Sequence, residues 1–281
     1  MFLKLLSYDI RAGIFGRLKS FIFPICVYVF AFIDYMLHTR FYVKMGKPPV
    51  FGRNLGDALL YIYGGMREYD PTVEIRFVFP ALWMLMYLLL AYIVLYYPYR
   101  DLEENGQNIL VRTGGRGLWW LSKCAWNVLH VSLYFLLGWG VTALDCVIAG
   151  VPLTMNITPN VNMLFDMFGT GMRHPEELVL ETLLLPLLVM AAACLAQMAL
   201  SLFIKPIFSY MVMVAMLVAS AYYLNPFLLG NYAMPIRSAR MIEEGVRFGM
   251  GCAICAGIIG VSVAAGLIRF QKYDILSREN G

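Results

Sequence analysis

Residues 77–99 read FVFPALWMLMYLLLAYIVLYYPY, a stretch that contains no charged side chain. A helix rises about 1.5 Å per residue, so about 20 mainly apolar residues are enough to cross the hydrocarbon core of a bilayer. This stretch meets that length without interruption. It therefore predicts a membrane-spanning helix.

The composition of the whole chain points the same way. Of its 281 residues, 60% are hydrophobic and only 14% are charged, whereas a soluble domain carries roughly 25% charged residues. So much apolar surface exceeds what one water-soluble core can bury. The net charge of +4 is small and its basic residues are scattered, so we expect no nucleic-acid partner.

Five further stretches meet the same length requirement, and we predict an all-α, polytopic integral membrane protein that forms a single transmembrane domain over residues 1–281. The six predicted spans are residues 20–38, 77–99, 120–144, 182–204, 207–228 and 248–268. The predicted location is the cell membrane, with multiple passes, in a bacterium.

The first 19 residues differ from the spans because charges interrupt them. Apolar residues recur at helical spacing from Leu3 to Leu18, while Lys4 and Arg11 lie on another face and Arg17 follows. This pattern predicts an amphipathic helix in the membrane interface. A cleaved signal peptide would need a continuous apolar stretch instead.

The distribution of basic residues predicts the orientation. Four of them, Lys4, Arg11, Arg17 and Lys19, precede the first span, and positive charge favours the cytoplasmic side. With six spans, both termini are then cytoplasmic. The longer external segments would be about 39–76, 146–180 and 229–247.

The segment between the second and third spans is the most informative for function. Residues 99–123 read YRDLEENGQNILVRTGGRGLWWLSK, with acidic residues first, then a short apolar stretch, a glycine turn and a basic-aromatic end. Trp119 and Trp120 suit the membrane interface, where we expect Lys123 to extend to the surface as well. A charged loop of this kind is a candidate docking surface for a soluble partner, and a plain solvated connection is the alternative.

An interfacial helix, six spans and a loop of the form acidic–Gly–x(n)–Arg–Gly–Leu–Trp–Trp–x–x–Lys together resemble the permease subunits of type-two ABC exporters. The resemblance implies a second permease subunit, the same or related, and ABC ATPase subunits that bind ATP and Mg. It also implies that the interfacial helix and the first cytoplasmic loop contact the ATPase. The loop residues at that contact would be Asp101, Glu103, Glu104, Arg112 and Arg116.

The chain itself contains no GxxxxGK[ST] sequence or other phosphate-binding loop. We therefore expect no enzymatic activity, no metal site and no cofactor of its own, with ATP hydrolysis in a partner subunit. A transporter that works without an ATPase would lack such a loop equally.

Two of the titratable residues within the predicted spans, Asp34 and His130, are candidates for a functional role. Asp34 is an acid in an apolar stretch, and such a group suggests a role in a substrate pathway; a solvated helix end is the alternative reading. His130 can shuttle protons, but no second titratable group shares its face, so we interpret it as a hydrogen-bond partner of a neighbouring helix.

The last span is rich in small residues. Ala253 and Gly257, Ala256 and Gly260, and Gly260 and Ala264 are spaced four apart, which allows two backbones to approach closely. We interpret this stripe as packing within the chain, with a dimer contact as the alternative.

The function predicted from these observations is transport of an apolar or amphipathic substrate, such as a peptide, a lipid or a drug-like molecule, by an ATP-driven exporter. Two alternatives stay open at this point: a secondary transporter or channel that acts without an ATPase, and a membrane-embedded immunity or sensor protein.

Overall fold

The computed structural model describes residues 1–44, 53–69, 78–104, 115–158, 161–165, 167 and 175–271. Within these ranges the chain is helical and contains no strand, which confirms the all-α prediction. The α-helices are α1 (Phe2–Gly13), α2 (Ile22–Lys44), α3 (Leu55–Tyr63), α4 (Ala81–Glu104), α5 (Arg116–Ala149), α6 (Pro175–Leu200), α7 (Pro206–Tyr222) and α8 (Phe248–Gln271). Short 3-10 helices cover Phe15–Phe21, Val161–Phe165, Leu229–Ala233 and Pro235–Arg237.

Five helical segments in the described chain are long and apolar enough to cross a membrane. They are Phe15–Tyr42, Ala81–Leu102, Arg116–Ala149, Leu178–Leu200 and Phe248–Gln271. Large apolar side chains such as Leu136 and Val261 are exposed on their outer surfaces, as expected of surfaces that face lipid. The protein is therefore a multi-pass membrane protein.

The helices pack into a bundle, and the contacts described next define its two opposite ends. At one end, the α1 end, α1 lies against α5, and the rings of Trp119 (α5) and Phe270 (α8) stack with centroids 4.7 Å apart. At the other, the α3 end, Nε1 of Trp83 at the start of α4 donates a 3.1 Å hydrogen bond to the carbonyl oxygen of Ala233. Both α1 and the last turn of α8 thus lie at the same end.

Helix α7 is apolar but has only 17 residues. It begins at Pro206, in the first turn, where a missing N–H costs nothing. It ends at Tyr222, six residues before the end of the predicted span 207–228, and Phe227 beyond it is 87% exposed. The sequence Asn225-Pro226 explains this early end, because a residue that precedes proline disfavours helical dihedral angles.

Arg237 connects the C-terminus of α7 to other segments at the α3 end through hydrogen bonds. Its guanidinium is fully buried and donates hydrogen bonds to carbonyl oxygens of the last turn of α7 and of residues 66 and 67, including Ala221 at 2.7 Å and Met66 at 2.7 Å. Burial lowers the pKa of Arg237 to about 10, so the group stays protonated at neutral pH. It thereby caps a helix C-terminus with a positive charge, a favourable arrangement.

Helix α3 is held in place by hydrogen bonds to the segment that follows α5. The carboxylate of Asp57 accepts a 2.7 Å bond from the amide of Thr158 and another from its hydroxyl. Burial raises the pKa of Asp57 to about 6. Asn54 caps the helix by accepting a 2.8 Å bond from the amide of Asp57.

The small residues of α8 do not pack within the chain as predicted. Ala253, Ala256, Gly257, Gly260 and Ala264 are all exposed, and no described atom lies within 4 Å of a Cβ built on Gly257 or Gly260.

The close intramolecular contacts of α8 use other glycines. An added Cβ would overlap the ring of Tyr232 at Gly251 and that of Trp120 at Gly266. The inward face of α8 therefore carries Gly251 and Gly266. The prediction that the small residues spaced four apart pack within the chain is wrong.

Candidate functional site

A lysine lies between two carboxylates under the N-terminal helix. Lys123 on α5 is 1% exposed, and its Nζ contacts Asp9 Oδ1 on α1 and lies 2.5 Å from Asp101 Oδ2 on α4. Both acids are buried as well. We call these three residues the ion cluster.

Neighbouring hydroxyl groups donate further hydrogen bonds to the two carboxylates of the ion cluster. Asp9 accepts a 2.9 Å bond from Tyr97 Oη and a further bond from Ser122 Oγ, and Asp101 accepts a 3.1 Å bond from Tyr8 Oη. The ammonium group of Lys123 also lies over the ring of Tyr97, with its nitrogen 4.7 Å from the centroid. Buried ions are tolerated only when they are paired and hydrogen-bonded in this way.

A glycine allows α1 to approach closely enough for the ion cluster to form. A Cβ on Gly13 would lie 2.5 Å from Trp126 Nε1 and 2.8 Å from the ring of Tyr97. Both rings are buried and packed against each other at 4.4 Å between centroids, so they have little room to yield. Gly13 therefore sets how tightly α1 docks on α4 and α5.

We expect Gly13→Ala to loosen α1, because the added methyl group overlaps two packed rings; overpacking of this kind costs about 1–3 kcal/mol. The measurement is labelling of a cysteine introduced at Ser122, which is buried in the docked state, by a water-soluble maleimide. Labelling should be several-fold faster in Gly13→Ala. Gly16→Ala is the matched control, since its Cβ would meet its nearest neighbour at an ordinary 3.5 Å, and equal rates in both variants would contradict the docking role of Gly13.

The ion cluster is suited to mechanical coupling. It joins α1 to the last turn of α4 and the second turn of α5, the two helices on either side of residues 105–114. A displacement of α1 is therefore transmitted to two long helices through charged contacts that are costly to break.

The residues predicted to contact an ATPase differ in burial and in whether the structure describes their side chains. Asp101 was expected at an exposed contact but is buried in the ion cluster, so it is not available to a soluble partner in this arrangement. Glu103 and Glu104 belong to the last turn of α4, and their side chains lie outside the described residues, as does Arg112 altogether. Arg116 is exposed and donates a 3.0 Å bond to the carbonyl oxygen of Gln271.

Lys123 also departs from the prediction, because it points into the protein instead of extending to the membrane surface. Its stem comes from a helix turn that α1 covers, so its charge is removed from water and is compensated by two buried carboxylates. No single sequence signal identified this arrangement: Asp9, Asp101 and Lys123 each resemble ordinary surface charges.

The N-terminal helix docks partly through its predicted apolar face, since Leu6 and Ile10 pack against the core and Ile14, just after the helix, is buried. The buried residues of the helix itself are Leu5, Asp9 and Gly13, whereas Leu3, expected on the apolar face, is 76% exposed. Lys4 and Arg11 are exposed. Arg17 lies beyond the helix with its guanidinium carbon 5.3 Å from the centroid of the Tyr97 ring.

Asp34 and His130 occupy different environments. Asp34 is partly exposed near the α3 end and accepts a 2.7 Å bond from Tyr61 Oη. His130 is buried between the rings of Phe21 and Trp126, with centroids 5.2 and 5.1 Å away. Neither ring nitrogen of His130 has a hydrogen-bond partner in the described chain, so the expectation that it bonds to a neighbouring helix is wrong.

Within the described residues, no three His, Cys, Asp or Glu side chains come together in a way that suits a metal ion. Comparison of the chain with protein-family models, with curated proteins and with solved structures finds no match to any of them.

Proposed function

We propose that the protein is the transmembrane permease subunit of an ATP-driven exporter of the ABC type. The observation that carries the proposal is the ion cluster, in which Lys123 joins Asp9 of the N-terminal helix to Asp101 of α4. A permease driven by a separate ATPase needs a rigid link between the surface that the ATPase contacts and the spans that move. The ion cluster supplies such a link at the end of the bundle where the resemblance puts the ATPase.

The proposal includes six crossings with both ends in the cytoplasm. Helix α7 supports the sixth crossing, because only five residues separate it from the end of α6 and its last turn is hydrogen-bonded to Arg237 at the opposite end of the bundle. Its 17 residues extend about 26 Å, close to the thickness of a hydrocarbon core of about 30 Å. The four basic residues before the first span favour a cytoplasmic location for the α1 end.

In this proposal the ATPase binds ATP and Mg, and this chain supplies no covalent chemistry. Lys4 and Arg11 are exposed on α1 and provide positive charge for the contact. Closure of two ATPase subunits displaces α1, the ion cluster passes the displacement to α4 and α5, and the pathway opens alternately to the two sides.

The exposed small residues of α8 are the proposed contact with a second permease subunit, the same or related. Exposed small residues spaced four apart allow two helices to approach closely within lipid. The bacterial plasma membrane is the proposed location.

Purification of the tagged chain from its native membranes in a mild detergent tests the proposal. We expect a nucleotide-binding subunit to co-purify and to be identified by mass spectrometry. The double variant Lys4→Glu/Arg11→Glu should recover several-fold less of it, because two contact charges are reversed. Lys205→Glu is the matched control, since Lys205 is an exposed base at the same end of the bundle but outside α1.

Recovery of the chain without any nucleotide-binding subunit, even after cross-linking in intact membranes, would reject the proposal. That outcome would favour a secondary transporter or channel, or an immunity or sensor protein, since both alternatives work without an ATPase.

A further inference from the structure

A cavity of about 840 Å³ opens between α2, α3 and the start of α4, at the α3 end of the bundle. Its volume lies within the range that accommodates drug-sized ligands, about 300–1,000 Å³. The walls are mainly apolar and aromatic, and the described lining residues used below are Asp34, His38, Phe41, Tyr61, Phe79 and Phe165.

Asp34 supplies a carboxylate that is oriented but not enclosed. Its Oδ2 accepts the 2.7 Å bond from Tyr61 Oη, while its side chain remains 35% exposed. His38 Nδ1 lies 3.0 Å from Tyr61 Oη, 3.1 Å from the carbonyl oxygen of Asp34 and 3.4 Å from Asp34 Oδ1. These contacts hold the carboxylate in one orientation and leave part of it open to the cavity.

Aromatic rings line the same cavity as this carboxylate. Tyr61 packs against Phe165 with centroids 5.9 Å apart, and Phe41 and Phe79 are themselves exposed. The face of an aromatic ring attracts a cation, and an apolar wall retains the hydrophobic part of a ligand. Asp34 is the one acidic residue among the described lining residues, so the arrangement suits a ligand with a single positive charge.

We propose that this cavity binds amphipathic organic cations, and that these are the substrate class of the transporter; the second part of this statement rests on the proposed function. The positive charge contacts Asp34 and the apolar groups contact the rings that line the cavity. The cavity lies at the end of the bundle opposite the ion cluster, so the ligand and the proposed ATPase contact different ends of the same helices.

Tetraphenylphosphonium and tetraphenylborate test the proposal, because they share shape and size but carry opposite charges. The purified chain is placed in nanodiscs of phosphatidylcholine, binding is measured by equilibrium dialysis, and uptake by nanodiscs without the chain is subtracted, because the dipole potential of the bilayer favours the anion. We expect saturable binding of tetraphenylphosphonium. Tetraphenylborate should bind at least tenfold more weakly.

Asp34→Asn keeps the shape of the side chain and removes its charge, so it should weaken tetraphenylphosphonium binding about tenfold. Phe41→Leu, which replaces an exposed ring with an apolar chain, should weaken it about threefold. Glu244→Gln is the matched control: it removes one exposed negative charge from residues that do not line the cavity, and binding should stay unchanged.

Equal binding of the two probes would overturn the proposal, and so would an Asp34→Asn variant that binds tetraphenylphosphonium like the unmodified chain. The assay uses this chain alone, so its outcome is independent of any ATPase. Cation binding without a co-purifying ATPase would support the binding site and reject the ATP-driven exporter. A co-purifying ATPase without cation binding would support the ATP-driven exporter and reject the binding site.

Discussion

Lys123→Met is expected to destabilise the protein by about 3–5 kcal/mol, since removal of one partner from a buried ion pair leaves uncompensated charge. In this variant Asp9 and Asp101 would face each other without a cation between them. The measurement is thermal unfolding in detergent, followed by a thiol-reactive dye that labels cysteines as they become exposed. The buried thiols of Cys124, Cys194 and Cys255 report unfolding, and we expect the midpoint to fall by about 10 °C.

Two further variants separate lost charge pairing from lost packing. Lys205→Met removes an exposed lysine at the same end of the bundle and should leave the midpoint within about 2 °C of the unmodified chain. The triple variant Asp9→Asn/Asp101→Asn/Lys123→Met removes all three charges, so it should be more stable than Lys123→Met alone. If the triple variant were instead the least stable, the ion cluster would not be the source of the effect.

Arg237→Met is expected to have a comparably large effect, about 3–5 kcal/mol, because several buried carbonyl oxygens would lose their donors at once. The last turn of α7 would then have no cap and would separate from residues 66 and 67. The same thermal assay measures the loss, and Arg247→Met is the control because Arg247 is exposed.

Arg237→Lys gives an independent check on this assignment. An ammonium group keeps the charge but cannot reproduce the planar set of five donors, so the variant should lie between Arg237→Met and the unmodified chain. A lysine variant as stable as the unmodified chain would show that charge alone caps α7.

The spans could be predicted because each depends on its own residues. Residues 77–99 and 248–268 are apolar over the length that a bilayer requires, and α4 and α8 form there. The end of α7 was missed, although Pro226 was a usable local signal. Asp34 was identified because an acid in an apolar stretch is visible without knowledge of its neighbours.

The ion cluster and the Arg237 contacts could not be predicted in this way. Asp9 lies 114 residues before Lys123 in the sequence, and Arg237 lies 171 residues after Met66. Each charge on its own is typical of a solvated surface. These residues come into contact only when helices that are distant in the sequence pack together. The periodicity and composition of a single segment do not predict that packing.

The separation of Asp9 from Lys123 has a consequence for biosynthesis. At a synthesis rate of roughly 5–20 residues per second, Asp9 leaves the ribosome on the order of 10 s before Lys123. During that interval Lys123 is not available to pair with Asp9. The ion cluster therefore cannot form until α5 has been synthesised, which makes docking of the N-terminal helix through this cluster a late assembly step.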